Sequence, residues 1–192
     1  AAMLPFLREC YANPEGSHRF AREARRAVDE ARDTVAAALG VAPGEIVFTS
    51  GGTEGDNTAV TGAGLGRGSV VVTTAAEHHA VLEPAHAAGA RVVPVTVTGH
   101  VDLDALGATL DGDVRLVSVM AVNNEVGTIT DLAAVAAVVR ERAPQAGLHT
   151  DAVQAASWLD LRPVTPLVDL LSLSAHKFGG PKGVGVLVVK TG

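Results

Sequence analysis

What this sequence lacks narrows it first. Its 192 residues contain a single cysteine, Cys10. One thiol excludes an internal disulfide framework and a cysteine-rich metal site. Basic residues are outnumbered, 15 against 21 acids, and the net charge of −6 argues against a general nucleic-acid surface. No apolar run approaches the roughly 20 residues needed to span a bilayer. The opening "AAMLPFLREC" has neither the charged start nor the apolar core of a signal peptide. Together these absences fit a cytosolic protein. The first residue is not an initiator methionine, and the closing "VVKTG" follows directly on an apolar strand pattern. The chain is therefore expected to be part of a longer protein.

What is present is globular: 47% hydrophobic and 19% charged residues, at a length that supports one large domain with a substantial core. "SHRFAREARRAVDEARDTVAAALG" predicts a long helix from Ser17 to a glycine stop at Gly40, with Val28, Ala31, Val35 and Leu39 at helical spacing, so residues 1–40 are mainly helix. Strand patterns then fall at 45–49, 69–74, 91–97, 114–122, 147–151, 168–174 and 184–189. Helical patterns start near Thr53 and cover 79–89, 102–110 and 131–142. This alternation predicts the α/β class, with a mostly parallel sheet flanked by helices. Only a glycine-rich turn joins the last two strands, so one of them can run antiparallel. "TGAGLGRG" (61–68) reads as a flexible connector. It lacks the preceding strand and following helix that a dinucleotide-binding loop requires.

Ligands of open α/β sheets gather at the carboxyl ends of the strands. Five such ends here carry chemically capable side chains: "TSGGTEGDN", "EHHA", "NNEVG", "TDAVQ" and "SAHK". Gly52 and Thr53 would open a helix, where free N–H groups attract a phosphate; a plain turn capped by Ser50 or Thr53 is the simpler alternative. Asp151 is either a cap or the partner of a buried cation, and Gln154, three residues on, would share its side. His78 is either solvent-facing or a flat ring free to stack. "EHH" lacks a third ligand at metal spacing, and HExxH is absent, so no metal is expected. "GGPKGVG" is not a P-loop, because Lys182 is followed by glycine. Lys177 ends a buried strand, a setting a surface lysine does not need; a solvated lysine in a turn is the simpler alternative. A phosphate cradle, a flat ring, a buried carboxylate and a lysine on neighbouring strand ends match what pyridoxal phosphate demands.

These motifs, with "VNNEVGTI", "HTDAVQA", "SLSAHKFGGPKGVG" and the upstream "NPEGSHRFAREAR", resemble in order those of the cysteine desulfurases, within the class V aminotransferase fold type. The resemblance covers almost the whole chain and implies the large, pyridoxal phosphate-binding domain, with the family's C-terminal small domain absent. It implies Lys177 as the Schiff-base lysine, His78 stacked on the ring and moving protons, and Asp151 against the ring nitrogen. Asn124 and Gln154 would position the ring oxygen and nearby groups, and Gly52, Thr53, Ser174 and His176 would hold the phosphate. Gly52 and Gly55 stand where the family often has Ala and Ser, and Ala175 where Gly is common; since all are small, the phosphate pocket is expected to survive. The family's nucleophilic cysteine and carboxylate-binding arginine lie in a downstream segment. Cys10 is no substitute, and the chain alone is expected to be inactive in sulfur release. In the intact family L-cysteine is the substrate, the enzyme is a homodimer, and sulfur passes to an acceptor or iron–sulfur scaffold protein. A selenocysteine lyase, another class V aminotransferase and a non-catalytic or split half remain alternatives.

Overall fold

The structure, a computed structural model, describes residues 3–62 and 68–191. Most of the predicted 61–68 connector lies outside the described residues. The chain divides into two compact units, residues 1–46 and 47–192.

The first unit holds a short helix α1 (Leu4–Arg8) and the long helix α2 (Arg19–Leu39). The start of α2 differs from the sequence expectation: its cap is His18, whose Nδ1 accepts from the Ala21 N–H at 3.2 Å. A ring nitrogen replaces the usual hydroxyl or carboxylate as acceptor. Gly40 ends the helix in the left-handed conformation, φ 68°, as a glycine can without strain. Along α2 the buried side chains are Ala21, Ala24, Ala36 and Leu39, while Val28 and Ala31 are exposed. Three alanines and Leu39 make the buried face; of the expected Val28, Ala31, Val35 and Leu39, Leu39 alone is buried.

The second unit is built on a seven-stranded sheet in the order β1-β7-β6-β5-β4-β2-β3. The strands are β1 (Ile46–Thr49), β2 (Val70–Thr74), β3 (Arg91–Val93), β4 (Val114–Ser118), β5 (Gly147–Asp151), β6 (Leu170–Ser174) and β7 (Gly185–Val189). From β3 to β6 neighbouring strands pair in parallel, and β7 returns antiparallel to β6. Helices α3 (Gly52–Gly62), α4 (His79–Ala87), α5 (Leu103–Thr109) and α6 (Leu132–Arg142) connect the strands. Three strands differ from their predicted form. β3 stops at Val93, because Pro94 offers no N–H to a ladder. β4 stops at Ser118, although the Val119 and Ala121 N–H groups still donate to the β5 carbonyls of His149 and Asp151. β1 is an edge strand with Val47 and Phe48 partly exposed, not a buried one.

Val60 of α3, Val81 and Ala85 of α4, Val71 of β2 and Leu116 of β4 form a core in which none is more than 1% exposed. Each valine or leucine stabilises the fold by about 1.5–3 kcal/mol on leaving water. Their placement fixes the first turns of α3 and α4 over the sheet. Because β2, β4, β5 and β6 run in parallel, their carboxyl ends lie along one edge. The chain order also reverses there: β3 lies outside β2, and the sheet then resumes on the other side through β4. Such a reversal opens a crevice at the strand ends.

Candidate functional site

A cavity of about 220 Å³ occupies this edge. All nine residues singled out in the sequence line it, brought there by five different connections. Gly52 and Thr53 come from the first turn of α3, His78 from the cap of α4, and Asn124 from the loop after β4. Asp151 and Gln154 come from the end of β5 and the turn beyond it. Ser174 ends β6, and His176 and Lys177 lie in the 3₁₀ turn Ala175–Phe178 that follows. Lys177 is the one lysine among the lining residues.

Local hydrogen bonds fix these side chains. The His78 Nδ1 accepts from the Ala80 N–H at 3.1 Å, which caps α4, leaves the proton on Nε2 and keeps the exposed ring in the cavity wall. Asp151 Oδ1 accepts from the Val153 N–H at 2.8 Å. Ser174 Oγ and His176 Nδ1 lie 2.9 Å apart, and Ser157 Oγ donates to the Lys177 carbonyl at 2.8 Å. The turn bearing the lysine is thus held by its backbone while the side chain stays exposed.

Close backbone approach explains one glycine. A Cβ on Gly185, the first residue of β7, would lie 2.6 Å from the Gly51 Cα. A side chain there would push apart the strand and the turn that opens α3.

Sequence reasoning missed Asp56, Met120 and Val153, which also line the cavity. Val153 changes the meaning of Gly52. A Cβ on Gly52 would lie 2.5 Å from Val153 Cγ2, and valine is stiff at χ1. An alanine at 52 would therefore meet Val153, which occupies the space. Gly52→Ala is expected to destabilise the protein by about 1–3 kcal/mol through overpacking, and Val153→Ala should cancel most of that cost. Chemical denaturation of the two single variants and the double variant measures the coupling; costs that simply add would contradict the contact. Asn123, beside Asn124, is structural. Its Nδ2 donates to the Ala76 carbonyl at 2.9 Å, while its Oδ1 accepts from the Glu125 and Val126 N–H groups, both at 2.9 Å.

Acids dominate the electrostatics. Burial pushes Asp151 above the ordinary carboxylate range, while its bond to Val153 and the nearby His78 and Lys177 pull it back. Burial, reinforced by Asp151, pushes Asp56 up to about 8. Burial likewise raises Glu77 to about 8, although its Oε1 accepts from Met120 N–H and Thr74 Oγ1, both at 2.8 Å. His149 is fully buried, and burial lowers it to about 3, so the ring is neutral. No ion pair to Asp151 forms among the described residues.

The Glu77 shift has a stability consequence. Its folded-state pKa lies above the unfolded value, so its contribution is greatest below the unfolded pKa and is lost as pH rises through the folded pKa. Between about pH 5 and 8 the unfolded chain gives up the proton and the folded one keeps it. Each such group lowers stability by about 1.4 kcal/mol per pH unit in that window. Glu77→Gln is expected to remove this slope, and denaturant unfolding at several pH values would show it. An unchanged slope would mean that Glu77 is ionised in the fold.

Known proteins resemble this arrangement along its whole length. The family model described as aminotransferase class-V matches residues 1–192. A cysteine desulfurase IscS from Dictyoglomus turgidum is 44% identical over 199 residues, covering 100% of this chain and 50% of the relative. The chain spans about half the length of the curated relatives it matches. Among solved structures, a NifS-like protein superposes with a TM-score of 0.92 at 41% identity, over 99% of this chain and 54% of the other. SspA in complex with cysteine superposes with a TM-score of 0.89 at 33% identity, over 98% of this chain and 56% of the other. Among the described residues no helix is long and apolar enough to cross a membrane.

Proposed function

Because this chain belongs to the class-V aminotransferase family, whose members are pyridoxal phosphate enzymes, we propose that it is the cofactor-binding half of a cysteine desulfurase. One observation carries the reading: a lysine, a ring and a buried acid that forms no ion pair among the described residues share a small cavity with Thr53, Ser174 and His176, which can donate to a phosphate. The residues fit the cofactor. Asp151 is only 5% exposed and calls for a cation, which a protonated pyridine nitrogen supplies. Ser174, His176, Thr53 and the free N–H groups at the start of α3 offer donors to a phosphate. His78 presents its flat ring, and Gln154 and Asn124 have amides free to address the ring oxygen.

Bound there, pyridoxal phosphate supplies an electrophilic carbonyl and an electron sink. The protein's own residues do the rest. Lys177 Nζ would hold the carbonyl carbon and would take and return a proton at the substrate α-carbon. Asp151 would hold a negative charge against the ring nitrogen. His78 would pack on the ring and, with its proton on Nε2, would serve as a second proton carrier.

The substrate assignment to L-cysteine draws on the desulfurase relatives and on SspA, which was solved with cysteine. In that reaction the Cβ–Sγ bond breaks, sulfur passes to an enzyme thiolate as a persulfide, and the carbon skeleton leaves as L-alanine. The whole protein would be a homodimer and hand its sulfur to an acceptor or iron–sulfur scaffold protein. Full-length protein given L-cysteine and a reductant is expected to yield alanine and sulfide in equal amounts. Pyruvate with sulfide would indicate a β-elimination lyase instead, and amino transfer to a 2-oxo acid an aminotransferase.

A further inference from the structure

Asp56 is an acid the reading above does not use. It lies one helical turn beyond Gly52 on α3, lines the cavity and is 1% exposed. The Ser172 hydroxyl acts on its carboxyl group in the direction of the ionised form. Among the described residues its Oδ1 has no hydrogen-bond partner, and the ring of His149 approaches that oxygen with Nε2 at 3.6 Å. His149 brings no charge. It is completely buried, with Ser118 Oγ 2.8 Å from Nδ1 and Ser172 Oγ 3.0 Å from Nε2.

The charged or titratable groups around Asp56 are therefore His149 and Asp151 of β5 and, more remotely, Glu77 from the turn before α4. None is a cation. Two buried carboxylates whose charges oppose each other do not both ionise readily. Asp151 has the Val153 N–H and the fields of His78 and Lys177 in its favour; Asp56 has a single hydroxyl.

We propose that Asp56 is a positioning residue that stores a proton: its carboxyl stays neutral against the His149 edge, so that Asp151 alone carries the negative charge facing the cavity. An ionised Asp56 would face a neutral ring and would compete with Asp151 for one cation. The protonation of Asp56 stands on the buried cluster alone. Its consequence for Asp151 rests on the reading of the cavity as a pyridoxal phosphate site.

Infrared spectroscopy of the cofactor-free protein at about pH 6, above the ordinary carboxyl range, tests the first part. Asp56→Asn should remove one carboxylic-acid C=O band and leave a second, which Glu77→Gln removes. If Asp56→Asn does not fold, Ser172→Ala serves: losing a donor to the carboxyl should move the same band to higher frequency. A wild-type spectrum with no band responding to either change overturns the proposal. Titration with pyridoxal phosphate tests the second part. Asp56→Asn, a neutral group of the same shape, should keep the affinity within about threefold, while Asp151→Asn should weaken it at least ~10-fold. Equal weakening by both would make Asp56 a second counter-ion and overturn the proposal. Wild-type protein that binds no pyridoxal phosphate would refute the proposed function, and the infrared result would still decide the state of Asp56.

Discussion

Lys177→Ala is expected to abolish covalent capture of pyridoxal phosphate while leaving the remaining contacts able to hold it reversibly. The reason is geometric. Lys177 is the one lysine lining the cavity, and its backbone is pinned between Ser157 and the end of β6 while its side chain remains exposed. Lys182 and Lys190 lie beyond the glycine turn and beyond β7, and neither lines the cavity. The donors offered to the phosphate, Ser174, His176 and the start of α3, do not depend on the lysine. The absorbance of a bound, borohydride-reducible cofactor should therefore vanish in the variant, while equilibrium dialysis still detects weaker binding. Retained covalent incorporation at the wild-type level would remove Lys177 from the centre of the site.

Asp151→Asn should have the next largest effect. The substitution keeps the shape of the side chain and its bond to the Val153 N–H, but it removes the buried charge. A ring nitrogen that loses this partner no longer holds its proton as firmly, and its pull on electrons weakens. In the full-length protein, exchange of the substrate α-proton with solvent deuterium should slow by at least ~100-fold, the scale of one lost electrostatic stabiliser. Nuclear magnetic resonance of the recovered amino acid measures this directly. Exchange at the wild-type rate would mean that the acid serves the fold alone.

Much of this architecture was legible in the sequence because two signals agreed. Apolar runs marked the strands, and polar clusters at their carboxyl ends marked the site. The cavity gathers His78, Asp151 and Lys177 because parallel strands put like ends together. The readings that changed did so for local reasons. Pro94 cuts β3 short, and β1 is an edge strand whose apolar residues are only partly covered. The α2 cap fell to His18 because an imidazole nitrogen accepts a hydrogen bond as a serine oxygen does.

In the site, the misses followed from reading motifs for the wrong member. "SGGTEGDN" was read for its glycines, although Asp56 sits four residues after Gly52 and so shares its helix face. His149 lies two residues before Asp151, hence on the same face of β5, and that spacing could have flagged it. Nothing in the sequence distinguished Asn123 from Asn124; only the bonds to Ala76, Glu125 and Val126 do. Val153 gave no signal, because its role is to fill the space that Gly52 leaves.

The most direct test of the cofactor assignment is peptide mapping after reduction. Protein loaded with pyridoxal phosphate and treated with borohydride should carry the pyridoxyl group on the peptide containing Lys177 and on no other. Modification centred on Lys182 or Lys190, or no stable adduct at all, would contradict the account.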